Sequence, residues 1–168
     1  ANLKAKESVS FNEEVFSLKN KILWRQTASR FIATIDEDSN WFRNTIQCCW
    51  LKEDFDNISL FFCLGLINSD YIAYLYNEIV SESGRVFPQM KIGQIKKLPF
   101  ILPSKILEDF IATRVKNLVD ANDKIPDEHV VFEINLAIYK LYDIKYELAY
   151  KINPNLSIDK GDFERFVI

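Results

Sequence analysis

The chain has 168 residues, of which 48% are apolar, 14% aromatic and 27% charged, with a net charge of −3. This is the composition of a soluble globular protein with one substantial core and room for a smaller appendage. No run of about 18 apolar residues occurs, so no membrane-spanning helix and no membrane partner are expected. No cleavable leader is evident either.

Residues 1–20 are mixed in charge, and Val9, Phe11, Val15, Phe16 and Leu18 suit an edge strand or a turn of helix. The opening ANLKAKES, without an initiator Met, reads as a piece of a longer chain. From Lys21 the texture changes. KILWRQ, RFIATID and NTIQCCW are short runs rich in β-branched and aromatic residues, separated by polar breaks, and predict consecutive antiparallel strands. DEDSN (36–40) predicts a solvated turn, because Asp and Asn side chains bond their own backbone. Asp56-Asn57 and Asn68-Ser69-Asp70 are N-cap types. They predict abutting helices over 58–67 and 70–82, the first being the apolar run ISLFFCLGLI.

VFPQMKI (86–92) is strand-like again, with Pro88 marking an edge or bulge. Leu98-Pro99 and Leu102-Pro103 close this part of the chain. Ser104 then caps a helix carrying Leu107, Ile111, Val115 and Leu118 at helical spacing. Ile125-Pro126 breaks it. A helix over 127–142 sets Val131, Ile134, Ile138 and Leu141 on one face, a short piece follows over 144–152, and the tail from Asn153 reads as turn-rich. The fold class expected is α+β: a twisted, mostly antiparallel sheet with packed helices, followed by a helical C-terminal appendage. The division falls at residues 1–103 and 104–168.

Catalytic motifs can be eliminated in turn. Four glycines leave no GxGxxG or GxxxxGK[ST] phosphate loop. The single histidine, His129, sits beside Asp127 and Glu128 and reads as a solvated helix start. Three cysteines without CxxC provide neither a disulfide framework nor a zinc site, and fit a reducing, cytoplasmic setting. Asp36, Glu37 and Asp38 fall in a turn with no strand-borne carboxylate–lysine partner of the nuclease kind. Asn153-Pro154 lacks the second Pro and aromatic of an amino-methyltransferase tetrapeptide. No catalytic residue, metal or cofactor is expected in this segment.

Charge patterning points to binding instead. Residues 21–34 and 85–105 contain no acidic residue and hold eight basic ones. The rest of the chain, with 13 basic residues against all 24 acidic ones, sums to −11. Positive charge is thus gathered in two places, interleaved with aromatic and amide side chains, as a local polyanion contact requires.

The order of elements resembles the C-terminal target-recognition (specificity) domain of Taq-type adenine-N6 DNA methyltransferases and of fused type IIG restriction–modification enzymes. The residues that carry the resemblance are KILWRQT (21–27), ATIDED (33–38), RNT (43–45), LGLINS (64–69) and IGQIKKLPFILP (92–103). It covers about 21–103, and FEINLAIYKLYDIKYELAY (132–150) more loosely resembles the helical end of such chains. The resemblance implies a module that docks in the grooves of double-stranded DNA. An upstream methyltransferase domain of the same chain would bind S-adenosylmethionine and flip the adenine; a fused endonuclease would also lie upstream.

The side chains suit that role. Arg25, Arg30, Arg43 and Arg85 have the fork for guanine O6 and N7, while Gln26, Asn44, Gln89 and Gln94 suit adenine N6 and N7. Lys21, Lys91, Lys96, Lys97 and Lys105 suit phosphates. Each has a plainer role: a strand lysine protects an edge, Asn44 closes a turn, Asn68 caps a helix, and Trp24, Trp41 and Trp50 fill the core. Two other functions fit the same pattern, a protein-interaction module for an acidic partner and a degenerate nuclease domain.

Overall fold

The computed structural model describes residues 13–55, 57–80, 89–121 and 125–168. The fold is α+β, as the sequence predicts, with a three-stranded antiparallel sheet and helices that dominate the C-terminal half. Strands β1 (Lys21–Arg25), β2 (Ala33–Asp36) and β3 (Ile46–Cys49) form it in the order β2-β1-β3. The registers Leu23↔Thr34 and Leu23↔Cys48 fix which side chains share a face. Ile22 and Trp24 are buried on one face, while Leu23 and Arg25 point to the other.

The predicted N-terminal segment forms a short helix, α1 (Glu13–Ser17), where it is described. Helices α2 (Leu60–Asn68) and α3 (Asp70–Ile79) abut as expected, but their caps differ. Ser69 caps α3, its hydroxyl accepting from the Ile72 N–H. At the start of α2, the Ser59 N–H donates to Glu108 Oε1, 2.5 Å away and 49 residues on. A buried carboxylate from a later helix therefore does what a local Asn would do, and it complements the positive helix end.

IGQIKK is the main revision to the secondary structure. The sequence predicts that 86–92 and its basic continuation form a strand, but Gln89 makes only an isolated bridge to Thr27, and Ile92–Ile95 turn into a short helix, α4. Residues 86–88 lie outside the described residues.

Helices α5 (Lys105–Ala121), α6 (Glu128–Leu141) and α7 (Tyr146–Ile152) follow the predicted pattern, and the tail adds a further helix, α8 (Lys160–Arg165), capped by Asp159. Ile111, Val115, Ile134 and Ile138 are buried, although Val131 on the predicted stripe is exposed. The main core joins Ile22, Trp24 and Phe31 to Phe62, Leu66, Ile111 and Ile138. A second cluster gathers Leu136, Tyr139, Ile144, Ala149 and Phe163 beneath the last helices. Gly65 sets how closely α2 and α5 approach: a Cβ there would stand 2.8 Å from Val115 Cγ2 and 3.0 Å from Ile111 Cγ2.

Candidate nucleic-acid interface

One end of the sheet gathers most of the candidate side chains. Arg25 closes β1, opposite Ile46 at the start of β3. Just beyond, the Gln26 N–H donates to Thr45 O at 2.9 Å, and Gln26 O accepts from the Met90 N–H at 2.7 Å. These bonds bring three segments distant in sequence side by side: 25–27, 43–46 and 89–91. Helix α4 and Lys96-Lys97 continue directly from the third. Arg25, Arg43, Asn44, Gln89, Lys91, Lys96 and Lys97 are exposed there, and Gln26 and Gln94 are half-buried.

The third segment is anchored from below. Met90 is buried in the main core, and the buried Tyr76 of α3 holds the residues on either side of it. Its hydroxyl donates to Gln89 O at 3.1 Å and accepts from the Lys91 N–H at 2.7 Å. Tyr76 packs edge-on against Phe31, which packs edge-on against Trp24. The Trp24 indole in turn donates to Gln47 Oε1 at 3.0 Å, so the support reaches back to β3.

Arg25, Arg43, Lys96 and Lys97 make no ion pair among the described residues. In the helical half, by contrast, Arg114 pairs with Glu133, Lys116 with Asp120, Lys145 with Asp143, Lys160 with Glu147 and Arg165 with Asp162, while Lys140 and Lys151 lie over the Phe163 and Tyr74 rings. Unpaired guanidinium and ammonium groups beside amides are free to take phosphate or base edges as partners.

Three other expected contacts belong to the scaffold. Lys21 is corrected outright: it is fully buried at the far end of β1, 2.8 Å from the Asp36 carboxylate. It also donates to Leu18 O at 2.6 Å, so no phosphate can reach it. Asp36 is likewise not a solvated turn residue. It is buried, and it accepts from the Asp38 and Asn40 N–H groups and from Asn40 Nδ2. Burial alone would raise its pKa, but Lys21 and the Asn40 and Asp38 donors outweigh that and hold the carboxyl below its ordinary 3.8.

Arg30 is about half exposed but engaged, bonding Asn68 O at 2.8 Å and the Asp70 carboxylate at 3.1 Å. Asp70 is tied further to α6 and to the segment after α7 through Asn135 and Asn153. Lys105 pairs with Glu108 and Asp109 on its own helix. Arg85 lies outside the described residues.

The LGLINS run proves to be scaffold as well. Leu64 and Leu66 are core, Gly65 admits α5, and Ser69 caps α3. Asn68 is not a cap. Its amide accepts from the Ala33 N–H and donates to Ala33 O, both at 3.0 Å, and so occupies the free edge of β2 as a neighbouring strand would. Trp24 is core, but Trp41 and Trp50 are exposed, contrary to the sequence reading. Trp41 stacks on Phe16, and Trp50 lines a cleft of about 570 Å³ with Glu14, Glu53 and Asp54. Those carboxylates make that cleft a poor place for a polyanion.

Among the described residues, no group of His, Cys, Asp or Glu side chains is placed to hold a metal ion. Burial pushes the Cys49 thiol up to about 11 and the Cys63 thiol to about 12, so both stay protonated near neutrality. No helix among the described residues is long and apolar enough to cross a membrane.

The class that this fold and surface define is a recognition module on an α+β scaffold. Residues 1–100 match the TaqI-like C-terminal specificity domain, and the chain belongs to that family. The family is one of specificity domains, whose part is recognition of a target rather than its chemical conversion. No curated protein matches the chain.

Proposed function

We propose that this chain directs a site-specific adenine DNA methyltransferase to its target, with recognition carried by residues 1–103 and support by 104–168. The methyl donor S-adenosylmethionine would bind an upstream domain of the same polypeptide, in the cytoplasm. That domain would also extrude the adenine. The observation that carries this reading is the meeting of amides and cations from three segments at one end of the sheet, where Arg25, Arg43, Lys96 and Lys97 make no ion pair among the described residues. Arg25 and Arg43 are the side chains suited to guanine, and Gln26, Asn44 and Gln89 those suited to adenine. Lys91, Lys96 and Lys97 are suited to phosphates, which set register without reading sequence. A net charge of −3 fits a module whose catalytic partner supplies much of the phosphate grip, so the isolated chain should bind DNA weakly.

The test is a map of methylated adenines in a host carrying the full gene, with and without Arg25→Ala and Arg43→Ala. Altered or relaxed sites are expected. An unchanged map at an unchanged rate would overturn the reading, and loss of a protein complex instead would favour an interaction module.

A further inference from the structure

We propose that Tyr76 is a positioning residue for DNA recognition: its buried hydroxyl fixes the 89–97 segment against the end of β1. The inference rests on the recognition reading above and assigns a role to a residue that never meets the ligand. Tyr76 is almost wholly buried, yet its hydroxyl is fully used, donating to Gln89 O at 3.1 Å and accepting from the Lys91 N–H at 2.7 Å. Both partners are exposed residues of an irregular segment, which an isolated bridge and the Met90 N–H···O Gln26 bond tie to the sheet. Among the described residues no regular ladder reaches Gln89 and Lys91, and one hydroxyl bonds the backbone of both. Phe31 and Trp24 fix the ring that carries it, and Gln47 fixes Trp24. A chain of packed rings thus runs from β1 to the cationic segment. Ordering this segment before DNA arrives lowers the entropy lost on binding.

The variant Tyr76→Phe removes the hydroxyl and keeps the ring. The two backbone groups it frees are part-buried, so urea unfolding is measured alongside to check that the variant still folds. The control is Tyr74→Phe on the same helix, whose hydroxyl accepts only a long bond from Lys151 Nζ at 3.4 Å. Binding is measured on a pool of mixed-sequence duplexes at low salt, and amide exchange is followed in the same proteins without DNA.

Tyr76→Phe should weaken binding by about threefold to tenfold, as the loss of one or two ordering hydrogen bonds would, with Tyr74→Phe unchanged. In Tyr76→Phe the Lys91 amide should exchange faster while the Met90 amide stays protected. A purely structural role would speed both together. Unchanged affinity, or a Lys91 amide still protected, would overturn the proposal. If the unsubstituted chain binds no duplex at all, the recognition reading falls and with it any role for Tyr76 in recognition. The Lys91 exchange rate would still decide whether the hydroxyl holds the segment.

Discussion

The sheet end and the helical half use most of their cations in opposite ways. On α5 to α8, Arg114, Lys116, Lys160 and Arg165 each lie against a carboxylate, and the Arg114 guanidinium also covers the Phe110 ring at 3.4 Å. At the sheet end, Arg25, Arg43, Lys96 and Lys97 have no such partner among the described residues. An exposed ion pair adds little to stability, so pairing on the helices serves mainly to neutralise that surface. Leaving charges bare costs little in water and keeps them available to a polyanion. The difference shows that a chain acidic overall can still present a locally cationic surface, because what counts is where positive charge goes uncompensated.

The comparison has one deep exception, and breaking it should give the largest effect. Lys21 is a sheet cation that is buried and paired, so Asp36→Asn would strand an ammonium group in the interior. A loss of about 3–5 kcal/mol is expected in urea unfolding, against a far smaller change for Asp120→Asn beside exposed Lys116. Equal losses at the two positions would erase the distinction between them.

Next come the bare cations. Arg25→Ala or Arg43→Ala should cost about 1–3 kcal/mol in binding to the preferred site and relax its sequence. Lys96→Ala or Lys97→Ala should weaken binding to all sequences alike and reduce the salt slope by about 1 each. Thermal unfolding of these four variants should stay close to that of the parent chain.

Acid sharpens the contrast further. The carboxyl of Asp36 is held below its ordinary 3.8, so its contribution to stability is complete above that pH. That contribution is lost as pH falls through the lowered value of the folded state. A stability profile should therefore show a step at the acid end that Asp36→Asn lacks. The smallest effects belong to the helices: Lys116→Ala and Lys160→Ala should leave the urea midpoint close to that of the parent chain and DNA binding untouched.

Period and cap chemistry in the sequence suffice for the strands, the helix pair and the long helices, because a stripe such as Ile111–Val115 declares its own face. Three features depend on partners remote in sequence. Nothing local marks Lys21 as buried, since the Asp36 that compensates it arrives 15 positions later through strand pairing. Asn68 has the chemistry of a cap, and only the position of β2 turns its amide toward Ala33. IGQIKK follows a strand-like run, yet it turns helical next to the point where Tyr76 and Met90 pin the chain. Of the candidate interface, the residue types were legible from charge and amide patterning. Their convergence was not, because it is made by backbone bonds among segments up to 64 residues apart, such as Met90 to Gln26.

The most direct measurement is a titration of the chain with mixed-sequence duplex DNA, followed by backbone amide chemical shifts. The account predicts that shifts concentrate at 25–27, 43–46 and 89–97, fade as salt is raised, and spare α5 to α8. Shifts centred on those helices, or none at any salt concentration, would contradict it.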